Sequence, residues 1–257
     1  MDKEFLLNEL RRFECDSIKT LILDDTVSTN SDAREMIKNC APTPILVTAE
    51  SQSGGRGRMG KTFISPRGGL YMTIALPSNV PIVQASEATP AAAVALIRAI
   101  GSFCGIDCGI KWVNDIYANG KKLAGILVES LNDYSTMKSK HLIIGIGVNI
   151  TTTPTVTDSI VSAISLADLG IRAAPETLCA AIVREVLQIA ESGFTAAPYI
   201  DEYRRFSIVL GREITFTSNG ESRIGTVSAI RDNGSLEVLC ENETLILSGG
   251  EISVRLN

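Results

Sequence analysis

The stretch from Gln52 to Pro66, QSGGRGRMGKTFISP, restricts the fold more than any other part of the chain. Gly55, Gly60, Lys61 and Thr62 satisfy the phosphate-loop pattern G-x-x-x-x-G-K-T. That pattern works only when a strand leads in and a long helix leads out, because the helix N-terminus and the loop amides together hold the phosphates. A strand does lead in, at Ile45-Leu46-Val47. No helix leads out: Pro66, Gly68 and Gly69 intervene, and Leu70-Tyr71-Met72-Thr73-Ile74-Ala75-Leu76 reads as a second strand. The segment is therefore a basic loop joining two strands, and a P-loop hydrolase ranks last among the readings. Its glycines permit close approach of backbone to ligand, and Arg56 and Arg58 present planar, permanently charged forks suited to phosphate or carboxylate. With so many glycines the loop is expected to order on an anionic ligand. Taken alone, a solvated surface loop fits it equally well.

Composition narrows the class. A chain of 257 residues, 45% hydrophobic, can bury one large core or one core with a small satellite. The formal net charge of −5 argues against bulk binding to nucleic acid or anionic membrane. No run of apolar residues approaches spanning length, and Met1-Asp2-Lys3-Glu4 does not open a signal peptide, so a cytoplasmic protein is expected. Cys15, Cys40, Cys104, Cys108, Cys179 and Cys240 are scattered with no C-x-x-C, which favours reduced core thiols over bridges. The single histidine, His141, starts an apolar strand and is read as a strand-end residue. No metal ligands are assigned.

Along the chain, Lys19 to Leu23 is a short strand, and Ser28, Thr29 and Asn30 offer capping side chains ahead of a helix over 32–39. An alanine-rich helix is expected over 87–103, a threonine- and proline-rich loop over 151–159, a helix over Pro175–Glu191 with Pro175 in its first turn, and a short helix over 199–206. From Ile208 onward, short strands alternate with turns, Asn219-Gly220 and Asn233-Gly234 being the strongest turn signals. In HLIIGIGVNI, alternation puts Leu142, Ile144, Ile146, Val148 and Ile150 on one face and Gly145, Gly147 and Asn149 on the other. Two missing side chains beside one polar group make either a ligand bay or a surface for close helix packing. Asn119-Gly120 predicts a hairpin pairing Ala118 with Lys121, Tyr117 with Lys122, Ile116 with Leu123 and Asp115 with Ala124. Lys111, Val113, Asp115, Tyr117, Lys122, Ala124, Ile126 and Val128 would then share a face, with Asp115 diagonal to Lys122 at about 7–8 Å between Cα atoms. A solvent-exposed rim pair is the alternative.

The GRGR loop with its Ser65-Pro66 turn and the segment KWVNDIYANGKKLAGILVE from Lys111 to Glu129 together resemble biotin protein ligases. Ser28-Thr29-Asn30, the run Ile144 to Asn149 (GIGVN within it) and Gly250 to Arg255 (GEISVR) extend the resemblance over nearly the whole chain, in family order. Val113 stands where the family has proline, and Phe63 where it often has tryptophan. The resemblance implies an α+β fold: a mixed, largely antiparallel sheet with packed helices, a class II synthetase-like ligase core over 1–207, and a small C-terminal SH3-like β-barrel over 208–257. It implies activation of biotin by ATP, with Mg²⁺, to biotinyl-5′-AMP. Transfer then follows to a lysine on a biotin carboxyl carrier protein domain of a biotin-dependent carboxylase or decarboxylase. By match to the family, Ser28, Thr29, Asn30, Gln52, Gly55, Arg56, Gly57, Arg58, Lys122 and Gly125 bind biotin. Arg56, Arg58, Lys111, Trp112, Asn114, Lys122 and Asn149 bind ATP or the adenylate. Arg58 and Lys122 are expected to be catalytic by the same match, Lys122 on the activated carboxylate; Asp115 is added from its place diagonal to Lys122 on the hairpin, where it would orient or deprotonate the incoming amine. Some family members carry a DNA-binding domain; fewer than twenty residues precede the first strand here, so no DNA binding is expected, and the chain is expected as monomer or homodimer. A lipoate-type ligase and a non-catalytic biotin or nucleotide sensor are the rivals. GRGR with KWxND speaks against the first, and the full basic set Arg56, Arg58, Lys111 and Lys122 against the second.

Overall fold

The computed structural model describes residues 1–39, 43–154, 162–218, 221–241, 243–248 and 253–256. Cys40, most of the loop over 151–159, the Asn219-Gly220 turn and Gly250-Glu251-Ile252 lie outside the described residues. The elements run α1 (Lys3–Arg12), β1 (Lys19–Thr26), α2 (Thr29–Lys38), β2 (Ile45–Gln52), β3 (Gly69–Pro77), α3 (Ala88–Cys104), β4 (Gly109–Lys111), β5 (Asp115–Ala118), β6 (Lys121–Asp133) and β7 (Lys138–Asn149). They continue with α4 (Pro175–Glu191), α5 (Ile200–Phe206), β8 (Glu213–Ser218), β9 (Glu221–Ile230), β10 (Leu236–Leu239), β11 (Thr244–Leu247) and β12 (Ser253–Leu256).

Seven strands form one sheet in the order β1-β2-β3-β7-β6-β5-β4. β1 and β2 are parallel, joined by α2, and every other neighbouring pair is antiparallel. The sheet is thus mixed and largely antiparallel, as expected. A second, antiparallel sheet has the order β11-β10-β9-β8-β12.

The alternation along β7 divides the two faces. Leu142, Ile144, Ile146, Val148 and Ile150 enter the main core with residues of α1, α3 and α4, while Ile143 joins a smaller cluster containing Ala33, Ile45, Val47 and Ala75 on the α2 side. The alanines of α3 let it lie close on the sheet, burying Ala88, Ala91, Ala92, Ala93 and Ala95. Among the described residues one helical stretch, Ile82–Cys104, is long and apolar enough to cross a membrane by length and composition, but here most of it is spent on the core. The main core continues into the second sheet through Ile214, Phe216, Val227 and Val238. Trp112 bridges the two sheets, its Nε1–H donating to the Gly234 carbonyl at 2.9 Å.

Three local expectations are corrected. α1 was not among the expected elements, although Asp2 caps it through Phe5 N–H and Leu6 and Leu10 sit one helical turn apart on its buried side. α2 begins at Thr29, three residues earlier than expected, and Ser28, its N-cap residue, makes no side-chain capping bond. The β5–β6 hairpin pairs Ala118 with Lys121 and Tyr117 with Lys122 as expected, but a bulge then shifts the register, so Ile116 meets Ala124 and Asp115 meets Gly125. The extra residue flips everything beyond it: Ala124, Ile126 and Val128 turn to the main core, and Gly125 takes the face shared with Lys122.

Candidate active site

The basic loop leaves β2 and returns as a narrow ladder. Gln52 N–H donates to Ser65 O (3.0 Å), Phe63 N–H to Gly55 O (2.9 Å) and Gly57 N–H to Lys61 O (2.7 Å). A Cβ on Gly55 would stand 2.4 Å from Phe63 O, so only glycine lets the two sides come this close. Met59, at φ 59°, turns the tip.

Beneath the loop the sheet carries two opposed glycines, Gly147 on β7 and Gly125 on β6. Phe63 lies over both: a Cβ on Gly147 would meet its ring at 2.3 Å, and one on Gly125 at 2.9 Å. Tyr71 meets the ring edge-on with centroids 6.5 Å apart, and Lys122 Nζ lies 5.7 Å from its centre. The glycine face is thus closely covered: Phe63 from the loop packs on Gly147 and Gly125, and Asn30 of α2 packs on Gly145, where an added Cβ would stand 2.3 Å from its Oδ1.

At one end of this face sits a polar, mostly uncharged array. Gln52 Oε1 accepts from Thr29 N–H (2.9 Å) and lies 3.1 Å from Thr29 Oγ1, while Gln52 Nε2 donates to Ser65 Oγ (2.9 Å). Thr73 Oγ1 is 2.8 Å from Thr29 Oγ1 and 2.6 Å from Asn30 Oδ1. Asn30 Nδ2 donates to Glu129 Oε2 at 2.7 Å. Ser28, Thr29, Asn30 and Thr73 are all buried.

At the other end is a charged cluster. Lys122 Nζ meets Asp115 Oδ1 at 2.7 Å, each side chain about a quarter exposed. The bulge brings them together: with Asp115 opposite Gly125, the lysine lies over a glycine and not over a side chain. Arg58 Nη1 donates to Asn114 Oδ1 (3.3 Å), and Asn114 Nδ2 in turn donates to Ile126 O (2.7 Å). Burial lowers the Arg58 pKa, with Asp115 and Tyr203 nearby acting the other way. Lys111 lies opposite Asp115 on β4, with its Nζ 5.5 Å from the Tyr117 ring centre.

Asn149 closes the site from the end of β7. Its Nδ2 faces two carbonyls, Ile164 O (2.9 Å) and Lys122 O (3.4 Å), which fixes the orientation of the amide. Its Oδ1 is then buried without a hydrogen-bond partner among the described residues.

Not every expected residue lies here. Trp112 is buried and spends its N–H on the second sheet, and its peptide bond to Val113 is cis. Arg56 lies 3.4 Å from Glu129 and 3.5 Å from Ser31, at the uncharged end and not beside Lys122. Gly57 belongs to the ladder, its N–H bonded to Lys61 O. Conversely, Thr73, Ser65, Arg34 and Glu129 join the array without having been singled out. Thr73 had a signal: a lone aliphatic hydroxyl within the apolar run LYMTIAL, on a fully buried strand position. Glu129 closes the KLAGILVE segment, where a carboxylate after an apolar strand looks like an ordinary surface residue.

The chain is similar to known proteins along most of its length. Residues 25–149 match the model of the Biotin/lipoate A/B protein ligase family, and residues 209–255 that of the Biotin protein ligase C terminal domain. The bifunctional ligase/repressor BirA of Bacillus spizizenii is 41% identical over 132 residues, which is 51% of this chain and 40% of that protein. The protein of the same name from Salmonella typhimurium is 30% identical over 257 residues, covering 94% of this chain and 76% of that one. Among solved structures, biotin protein ligase from Aquifex aeolicus in complex with biotin and ATP shares the fold, with a TM-score of 0.75 at 21% identity over 93% of this chain and 99% of that one. The chain spans well under half the length of the first of these relatives and about three quarters of the second. Two family models in tandem, and a relative matched along nearly all of the sequence, make this chain a member of the biotin/lipoate A/B protein ligase family.

Proposed function

We propose that the chain is a biotin protein ligase: it activates biotin with ATP and transfers the biotinyl group to one lysine of a biotin carboxyl carrier protein domain. The observation that carries this reading is the order of groups along one bay. An uncharged array of donors and acceptors (Thr29, Gln52, Asn30) stands at one end, the apolar Phe63 ring over two glycines in the middle, and Lys122, Arg58 and Asp115 at the other. A ureido ring needs neutral hydrogen-bond partners, a valeryl tail needs apolar space, and a carboxylate meeting a phosphate needs cations.

In the first step the biotin carboxylate attacks the α-phosphorus of ATP, and pyrophosphate leaves with the electron pair of the broken P–O bond. Lys122 and Arg58 stabilise charge as it gathers on the α-phosphate oxygens, and partial burial strengthens both. As Lys122 is drawn to the phosphate it releases Asp115 from the 2.7 Å pair. In the second step the carrier lysine amine attacks the mixed anhydride, AMP leaves, and the freed Asp115 carboxylate orients the amine or takes its proton. The loop ladder, with Phe63 on its underside, keeps water from the anhydride.

Magnesium would come with ATP. Among the described residues no three His, Cys, Asp or Glu side chains gather as a metal cage. The unpartnered Asn149 Oδ1 is a hard oxygen, which fits an ion held chiefly by phosphates and water. When bound, the ion neutralises triphosphate charge.

The same reading takes residues 208–257 as an SH3-like domain and 1–207 as the catalytic one, and places the protein in the cytoplasm as monomer or homodimer. Its macromolecular partner on this reading is a carrier domain and not DNA, in keeping with a net charge of −5. The test is incubation with ATP, Mg²⁺ and either biotin or lipoate, with mass spectrometry for the acyl-adenylate, followed by addition of a carrier domain. Biotinyl-adenylate and one labelled lysine are expected. Lipoyl-adenylate alone, or biotin binding with no adenylate, would overturn the assignment.

A further inference from the structure

Glu129 is acceptor-only when ionised, and it touches both the uncharged array and the loop. One oxygen, Oε2, accepts from Asn30 Nδ2 at 2.7 Å and lies 3.4 Å from Arg56 Nη2, while Oε1 lies 3.3 Å from Arg34 Nη2. Because a carboxylate cannot donate, Asn30 must present its NH₂ to Glu129 and its Oδ1 to Thr73. Thr73 then spends its single hydroxyl proton on Asn30, so the 2.8 Å contact to Thr29 needs a proton from Thr29. Glu129 thereby sets the donor and acceptor sense of the whole array down to Thr29, the residue against Gln52. Arg56, paired with Thr62 across the loop ladder, is tied to the same carboxylate.

We propose that Glu129 is a positioning residue that couples occupation of the uncharged end of the bay to closure of the loop, with Arg56 as the arm that transmits it. This rests on the ligase reading of the site. A ligand that draws on Thr29 and Gln52 tightens the chain of hydrogen bonds ending at Glu129. Glu129, held still by Asn30 and Arg34, offers Arg56 a fixed anchor, and the ladder closes over the anion end. Arg56 on this account does not touch the phosphate.

The experiment measures trypsin cleavage after Arg58 and Lys61, and the dissociation rate of biotinyl-adenylate, in wild type, Glu129→Gln, Arg56→Gln and the double variant. Melting temperatures of the ligand-free proteins are recorded alongside. In wild type, biotin alone is expected to slow cleavage at least about tenfold. Each single variant should lose most of that protection and release adenylate about tenfold faster, and the double variant should be no worse than the worse single one, as residues acting through one contact are non-additive. Protection by biotin in Glu129→Gln equal to wild type would overturn the proposal. So would losses that multiply in the double variant, the signature of two unrelated structural defects. Failure of the ligase reading is recognisable separately: the wild-type protein itself would then gain no protection from biotin and form no adenylate, and the coupling would fall with it.

Discussion

Replacing Gly145 by alanine should destabilise the protein by an amount that its neighbours set. A Cβ at this position on β7 would lie 2.3 Å from Asn30 Oδ1 and 3.0 Å from its Cγ. Asn30 is 4% exposed and is held from both sides, by Thr73 at 2.6 Å and Glu129 at 2.7 Å, so it cannot swing away without giving up both bonds. A neutral hydrogen bond contributes about 0.5–1.5 kcal/mol and one to a charged group about 1.5–3, which puts the loss at about 2–4 kcal/mol. For a chain of this size about 2–4 °C of melting temperature accompanies each kcal/mol, so Tm should fall by roughly 4–16 °C. Gly101→Ala supplies the opposite sign. Gly101 lies in α3 with nothing within 4 Å of an added Cβ, and alanine there should stabilise by about 0.5–1 kcal/mol. Thermal and urea unfolding of both variants, with biotin affinity for Gly145→Ala, make the measurement. A Gly145→Ala protein within about 0.5 kcal/mol of wild type would refute the argument, since surface-like tolerance is incompatible with a pinned Asn30.

Lys122→Ala should lower the rate of adenylate formation by about 10²–10³-fold, the usual loss on removing one preorganised charge-stabilising group, whereas Asp115→Asn should slow transfer to the carrier more than adenylation; single-turnover kinetics on each step separate them. Arg58→Gly should retain adenylate poorly, releasing it to label bystander lysines, and a variant that made no adenylate and no stray label would contradict that role. Trp112→Phe removes the donor to the buried Gly234 carbonyl, so stability should fall by about 1–3 kcal/mol in urea titration. Asp168 accepts from the Thr153 hydroxyl and from Ser165 N–H and Oγ–H, and these bonds hold its carboxyl below the ordinary 3.8. Its stabilisation is therefore complete above that value and is lost as pH falls through the lowered one, so the Tm difference between wild type and Asp168→Ala should shrink as the solution is made more acid than that.

The regular parts of the architecture could be read from local chemistry. Pro175 at the first turn marks α4 because proline has no N–H to lose there, and the period-two pattern of HLIIGIGVNI separates core from bay because β7 is central and unbroken. What the residues hid depends on irregularity or on distant partners. The bulge between Ile116 and Tyr117 adds one extra residue, Leu123, on β6, invisible to any count that assumes perfect alternation, and it decides that Gly125 and not Ala124 lies opposite Asp115. Arg56 looks identical to Arg58 in GRGR, and only the fold reveals that Glu129, far along the chain, stands beside one of them. Trp112 lies between Lys111 and Asn114, yet its partner is a turn of the second sheet more than a hundred residues away. α1 was legible in Asp2, Leu6 and Leu10, but its ten residues are too few for periodicity alone to raise it above a polar N-terminal segment.

The register of the large sheet lines up one residue from every strand: Leu23, Ala49, Tyr71, Gly147, Gly125, Asp115 and Lys111. Tyr71 and Asp115 on this transverse row are separated by three strand spacings, about 14 Å at roughly 4.8 Å each. Those steps are dictated by backbone hydrogen bonds, and side-chain substitution cannot stretch them. The row acts as a ruler laid across the bay, graduated in whole strands. A chain one methylene longer or shorter differs by only a fraction of a graduation, so the sheet has no means of adapting to it. On the ligase reading, a change in the tail length that the site prefers would have to be written in Phe63 and the loop that carries it, while the seven-strand row stays as it is.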